Sequence, residues 1–206
     1  PVFSATGLPV TPKPVPPEQN FAMTPFLAPL LDYELTGHPR QVRWKDTNAS
    51  TRSGQLDIYR VHRSNRALTL GSVDRAELTD LQVWQAIYRS DTNFPSPAQP
   101  QDPAHDVLFA LRKFDPILQE LHEANHRPAA VFPVHWEESA EVLLPYLATL
   151  KAISTVLRLR AEAYLEAGQS SDALRDVQLG FRVADSIESD PMLISHLVRL
   201  AIFQIT

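Results

Sequence analysis

The chain contains no cysteine and only 6 glycines among its 206 residues. Without cysteine there is no disulfide framework, no thiolate metal site and no cysteine nucleophile. The few glycines leave little material for phosphate-binding loops, and no P-loop, G-x-G-x-x-G or G-x-S-x-G pattern occurs. Because no run of about 18 uncharged apolar residues is present, we expect these residues not to span a membrane.

The charge balance is mildly acidic. The chain has 19 Lys and Arg against 24 Asp and Glu, a formal net charge of −5. This balance lacks the basic footprint of a nucleic-acid-binding protein, so we predict no nucleic-acid partner. The length fits one domain, or one domain with an arm, and no motif calls for a cofactor.

Proline is abundant and unevenly placed. Nine of the 18 prolines fall in residues 1–40, where they favour extended backbone over helix. Apolar side chains between Phe21 and Tyr33 are too numerous to stay in water. We therefore predict an extended arm over residues 1–40, with 1–18 extended and 19–34 docked on the body, and a helical domain over 41–206.

The body is predicted to be mainly α, a compact array of five to seven helices. A short hairpin within residues 55–70 is the one predicted β element. Thr79 and Gln82 form a capping-box pattern before a helix near 80–89. Asp-Pro pairs favour helix starts, because Asp can cap the first turn and Pro suits its first position. Three such pairs predict helices beginning at 103, 116 and 191.

Helical periodicity is strongest towards the end of the chain. Three apolar faces are predicted there, and short connections make the helices antiparallel neighbours. The first comprises Leu147, Leu150, Ile153, Leu157, Ala161, Tyr164 and Leu165; the second Leu174, Val177, Phe181, Ala184 and Ile187; the third Leu193, Ile194, Leu197, Val198, Ala201 and Ile202. This last run shows no stop signal and the first residue is not Met, so we expect a fragment truncated at the C-terminus and cut at the N-terminus.

The stretch AEAYLEAGQSSDALRDVQLGFRVADS (161–186) resembles a tetratricopeptide helix pair. Gly168 matches its turn, and Ala173 and Gly180 match the small residues where its helices approach closely. Arg160 stands where that repeat usually has a large apolar residue, and Asp185 where it usually has proline. One such pair is too short for a stable array, so other helices must cover it.

The chain as a whole resembles an uncharacterised family of bacterial proteins. The matching segments are NFAMTPFLAPLLDY (20–33), TDLQVWQAIYR (79–89), PAHDVLFALRKFDPILQEL (103–121), RPAAVFP (127–133), LRLRAEAYLEAGQSSDALRDVQLGFRVADS (157–186) and DPMLISHLVRLAIFQI (190–205). The resemblance implies a bacterial cell-envelope location, an anchor upstream of Pro1 and further helical sequence after Thr206. It implies no catalytic residue.

His122-Glu123-Ala124-Asn125-His126 matches the H-E-x-x-H motif of zinc hydrolases. On one helix, the two histidines would share a face and bind zinc while the glutamate activates its water. Pro128 follows closely, however, and predicts that the helix stops too early. A third ligand is missing at the usual spacing, where Phe132 stands; His135 is a non-standard alternative, and Glu137, Glu138 and Glu141 lie too near.

The other polar candidates favour ordinary structural roles. The glutamates at 137, 138 and 141 are typical of a solvated helix face. Asn48-Ala49-Ser50 matches a glycosylation sequon by chance, and each tryptophan fits a core position. Four arginines can line a groove for an acidic partner, but more often pair with Glu162, Asp172, Asp176 and Asp185; they are Arg158, Arg160, Arg175 and Arg182.

These observations predict a non-enzymatic protein-interaction or scaffold domain, with a protein or peptide partner and no catalytic, cofactor or metal site. Helix-pair arrays commonly form such binding surfaces. A zinc-dependent hydrolase using His122, Glu123 and His126 is the alternative, and a purely structural module is the third.

Overall fold

The computed structural model describes residues 13–36, 42–49, 56, 80–134 and 144–206. Within these ranges the fold is mainly helical, as predicted, with one small antiparallel sheet that pairs Tyr33–Leu35 (β1) with Val42–Trp44 (β2). The α-helices are α1 (Leu81–Ser90), α2 (Pro103–Leu111), α3 (Asp115–Ala124), α4 (Tyr146–Glu166), α5 (Ser170–Asp185) and α6 (Leu193–Ile205). The predicted hairpin at 55–70 lies outside the described residues apart from Leu56, which is buried.

Local capping sets where two of these helices begin. Asp102 caps α2 by accepting the backbone N–H of His105 at 3.2 Å, so the predicted start at 103 is confirmed. Asp80 caps α1 by accepting the N–H of Val83 at 3.2 Å. The cap predicted at Thr79 is therefore wrong by one residue, and Thr79 itself lies outside the described residues.

The other two Asp-Pro predictions are wrong in detail. Asp115 is the first residue of α3 and not its cap, because its own backbone is already helical (φ −51°, ψ −43°); its carboxylate pairs with Arg160 instead. Asp190 does not cap α6 either, which begins at Leu193, since its carboxylate accepts the hydroxyl hydrogen of Tyr146. In both cases the carboxylate bonds to a partner distant in sequence and not to the first turn of the helix.

Helix α4 lies at the centre of the array. It contacts α2, α5 and α6, and its buried side chains point to more than one side of the helix, from Tyr146 and Leu150 to Val156 and Leu159. A helix that is apolar on several sides is stable only when surrounded. Helix α4 is therefore the packing partner that α2, α5 and α6 share.

Helices α4 and α5 form an antiparallel hairpin. Three residues connect them, and Gly168 within that connection has φ +74°. This left-handed conformation costs a side-chain-bearing residue about 1–2 kcal/mol, which favours glycine at the turn. Arg160 on α4 and Asp176 on α5 lie equally far from the turn and form an ion pair. The two helices therefore pack side by side well beyond the turn.

The segment from Asn20 to Leu31 packs into the core as a series of single 3₁₀ turns. Phe21 donates its N–H to Ala129 O at 2.8 Å, and Ala129 donates to Gln19 O at 3.1 Å. The Asn20 side chain adds hydrogen bonds to both backbone groups of Val131. This segment therefore lies along the connector that follows α3. Residues 1–12 are outside the described part of the chain.

The predicted apolar faces of the last helices are only partly buried. Leu165, Leu174 and Phe181 are exposed although the periodicity placed them inside. The buried face of α5 instead contains Asp176 and Gly180, with Ala173, Leu179, Val183 and Ala184. Leu193, Ile194 and Leu197 of α6 are also exposed. The buried face of α5 is therefore rotated relative to the predicted one. The prediction counted only apolar side chains and so left out Asp176 and Gly180, which are buried.

No described helix combines the length and the apolar character needed to cross a bilayer.

Candidate functional site

A buried ion pair joins the two arms of the α4–α5 hairpin. Arg160 Nε donates to Asp176 Oδ2 at 2.7 Å, and Nη2 donates to Oδ1 at 3.0 Å. The Asp176 side chain is only 1% exposed and that of Arg160 10%. Two parallel hydrogen bonds between a guanidinium and a carboxylate form the strongest ordinary ion-pair geometry.

Helix α3 completes this cluster from the other side. His122 Nε2 lies 3.1 Å from Asp176 Oδ1, and Arg160 Nη1 donates to Asp115 Oδ1 at 3.0 Å. Every nitrogen group of the Arg160 guanidinium and both oxygens of Asp176 thus have partners. The Arg160 guanidinium also lies 5.4 Å from the ring centre of Tyr164. Because these contacts join α3 to both helices of the hairpin, the cluster fixes α3 on the hairpin.

The H-E-x-x-H motif does not form the two-histidine face of a zinc hydrolase. Helix α3 ends at Ala124, so His126 lies in the following turn and is exposed. His122 points inward to Asp176, and Glu123 accepts a hydrogen bond from Gln119 at 3.0 Å. Among the described residues no three His, Asp or Glu side chains are placed to hold a metal. His135 and the glutamates at 137, 138 and 141 lie outside those residues.

A second buried carboxyl, in the connection between α5 and α6, bonds to α4. Asp190 accepts a hydrogen bond from Tyr146, whose ring stacks on Phe132 with centroids 4.0 Å apart. Burial raises the pKa of Asp190, and the Tyr146 and Ser195 hydroxyls oppose this only in part. Ser195 Oγ lies beside the carboxyl without a hydrogen bond of ordinary geometry. Burial and the adjacent Asp190 also raise the pKa of Tyr146.

The arginine predictions are largely confirmed. Arg158 pairs with Glu162, Arg175 with Asp172 at 3.6 Å, and Arg160 with Asp176. Asp185 pairs with Arg199 instead of Arg182.

Arg182 differs because it donates to two backbone oxygens, Arg127 O at 2.9 Å and Ala129 O at 3.2 Å. Its guanidinium also lies over the Phe21 ring, and burial lowers its pKa. Arg158, Arg160 and Arg182 are thus engaged within the chain, whereas Arg175 is 63% exposed.

The aromatic and sequon candidates also have ordinary surroundings. Trp84 is buried in the core, and Trp44 donates its ring N–H to Leu30 O at 3.1 Å. Asn48 lies exposed in a turn and donates its backbone N–H to Asp46. Trp136 falls outside the described residues.

The most unusual surface of the described chain is the outward side of α6. Four aliphatic residues there are exposed: Leu193 by 74%, Ile194 by 48%, Leu197 by 52% and Leu200 by 59%. We call these four residues the α6 outer face. The opposite side of the helix packs inward through Ser195 and Ile202. Contiguous exposed apolar surface of this kind marks interaction sites in soluble proteins.

The α6 outer face carries no net charge of its own. Helix α6 contains no acidic residue. Its one arginine, Arg199, lies beside the face and pairs with Asp185 at 2.8 Å and Glu188 at 3.1 Å. The hydrogen bond with Asp185 is the main cause of the raised pKa of Arg199. An apolar partner can therefore cover this face without burying an unpaired charge.

Sequence reasoning missed this face because it assigned one apolar stripe to α6 and buried it. One signal in the sequence could have revealed it. A surface helix with a single buried stripe has a polar opposite side, whereas α6 is apolar around most of its circumference. Leu193 and Leu197 belong to one stripe, whereas Val198 and Ile202 belong to the other. Two stripes on one helix require two packing partners.

Comparison with protein-family models, curated proteins and solved structures found no significant match.

Proposed function

We propose that this chain is a non-enzymatic protein-interaction domain and that the α6 outer face is its contact surface. The observation that supports this most is the second apolar stripe of α6, exposed although the first is buried. Isolated exposed leucines are normal on proteins, but four aliphatic residues on one helix form a contiguous patch. Catalytic machinery would need polar groups that converge on a cavity, whereas this surface is aliphatic.

Phe181 of α5 is 46% exposed and lies 6.1 Å, centroid to centroid, from Phe203 of α6. This aromatic contact joins the two helices, and the proposed contact surface is the α6 outer face alone.

A tetratricopeptide-like packing of α4 and α5 belongs to the same proposal. The glycine turn at Gly168 supports it. The close approach at Gly180 is instead to the end of α6, because an added Cβ would lie 2.7 Å from Thr206 Cγ2. Helix pairs of this kind present binding surfaces by stacking on neighbouring helices. A location in the bacterial cell envelope, anchored upstream of Pro1, is the corresponding proposal for the intact protein, and cell fractionation tests it.

Photo-cross-linking in cells tests the contact surface. A photoreactive amino acid would replace Leu197 or Leu200 in the full-length protein, and Gln178, an exposed polar residue of α5, would serve as the control position. The proposal expects defined adducts at 197 and 200 and none at 178. Absence of adducts at both α6 positions, with normal expression, would contradict it.

A further inference from the structure

We infer that the partner covering the α6 outer face is a second copy of this chain, with the two α6 helices packed antiparallel across a two-fold axis. This inference rests on the proposed function, because it names the occupant of the same surface. An isologous interface requires a patch that is complementary to itself. The spacing of residues along α6 and the charge of the α6 outer face meet that requirement.

Three of the four residues of the α6 outer face, together with Gln204 and without Ile194, form a row whose spacing is the same from either end of α6. Leu193, Leu197, Leu200 and Gln204 follow one another at intervals of four, three and four residues, and Gln204 is exposed like the leucines. Residues at such spacing share one helix face. When a second α6 runs in the opposite direction, Leu197 faces Leu200 of the other copy, and Leu193 faces the stem of Gln204. Both central contacts are then leucine against leucine.

Electrostatics do not oppose this pairing although the chain is acidic overall. The net charge of −5 arises outside α6, which has no carboxylate. Arg199 is already paired with Asp185 and Glu188 of its own chain. Self-association therefore brings together two uncharged aliphatic strips with no like-charge contact at the centre, where such a contact would be most costly.

The size of the patch sets the expected strength. One helix face is smaller than the roughly 800 Å² per partner of a standard stable interface. We therefore expect a reversible dimer whose population rises with concentration in the micromolar range.

Sedimentation velocity over a range of micromolar concentrations measures this directly. The wild-type chain should shift from 23.1 kDa towards twice that mass as concentration rises. Leu197→Glu should remain monomeric. Leu174→Glu is the matched control, because Leu174 is exposed by 57%, close to the 52% of Leu197, but lies on α5; it should dimerise like the wild type. Circular dichroism confirms that the variants are folded.

A charge-pair variant tests the antiparallel register. In the double variant Leu197→Glu/Leu200→Lys, each glutamate would face a lysine of the other copy. This variant should recover dimers that Leu197→Glu alone has lost. If the double variant does not recover dimers, the antiparallel register is wrong. If Leu197→Glu dimerises as well as the wild type, Leu197 is not in the interface and the register is wrong as well.

The same experiments separate this inference from the proposed function. A wild-type chain that is monomeric at every concentration overturns the dimer. If adducts at positions 197 and 200 then contain a different protein, the α6 outer face is still a protein contact surface, and only the dimer is wrong. Absence of adducts as well would overturn both.

Discussion

Arg160 and Asp176 stand eight residues before and eight residues after Gly168, and their side chains meet in a two-point ion pair across the α4–α5 hairpin. The pair is buried and also holds His122 and Asp115 of α3. A charged contact in this position fixes the register of the hairpin, because a shift along either helix would leave Asp176 buried without its partner.

Removal of Arg160 should therefore be strongly destabilising. We expect Arg160→Ala to lower the free energy of unfolding by about 3–5 kcal/mol, since it leaves a buried carboxylate uncompensated. Arg160→Lys should be destabilising by a smaller amount, because lysine keeps the positive charge but cannot form both hydrogen bonds with the carboxylate. Urea denaturation measures both effects.

Arg175 provides the matched control for that experiment. Its side chain is 63% exposed and pairs with Asp172 at 3.6 Å on the same helix as Asp176. Exposed pairs of this kind contribute about 0–1 kcal/mol. A loss in Arg160→Ala no larger than that in Arg175→Ala would show that the buried pair does not fix the hairpin.

The two histidines of the H-E-x-x-H motif should behave differently. His122→Ala removes a partner of buried Asp176 and should cost about 1–2 kcal/mol. His126→Ala changes an exposed turn residue and should change stability by less than about 0.5 kcal/mol. Thermal denaturation compares the variants, and metal analysis compares their zinc content. Stoichiometric zinc in the wild type that both substitutions abolish would contradict this assignment and support the hydrolase alternative.

Asp190 should make stability depend on pH with a specific sign. Burial raises the pKa of Asp190 in the folded chain. Its neutral form is therefore favoured by folding, and this stability is fully present below the unfolded pKa of about 3.9. It is lost as pH rises through the folded pKa, because the buried carboxylate then carries a charge.

Asp190→Asn isolates this effect, since an amide oxygen can still accept the Tyr146 hydrogen bond. The difference in unfolding free energy, variant minus wild type, should increase from pH 4 to pH 7, because only the wild type loses stability as its carboxyl group ionises. Tyr146→Phe removes the donor and should be destabilising instead. Urea titrations at several pH values give the differences; a constant or falling difference would be the contrary result.

Local sequence signals predicted the parts of this fold that depend on near neighbours. Asp102 caps α2 because its partner, the N–H of His105, is three residues away. Asp115 and Asp190 carry the same Asp-Pro signal but bond to Arg160 and Tyr146, which are 45 and 44 residues distant. A dipeptide pattern contains no information about such partners.

The candidate contact surface illustrates a related limit of periodicity. The apolar pattern of α5 placed Phe181 inside and left Asp176 outside, yet the structure reverses both. Asp176 is buried because Arg160 compensates its charge, which hydrophobicity alone cannot anticipate. For α6 the pattern correctly indicated a helix, but an all-round apolar helix does not show which of its sides meets the core.

The measurement that tests the central claim most directly is thiol labelling of the α6 outer face in cells. The chain has no cysteine, so Leu197→Cys and the control Gln178→Cys each provide a single reactive thiol. If a partner covers the face, the thiol of Leu197→Cys should react with maleimide several-fold more slowly in cells than in dilute purified protein. The thiol of Gln178→Cys should react alike in both. Equal rates for Leu197→Cys in cells and in dilute solution would contradict the claim that the α6 outer face is a protein contact surface.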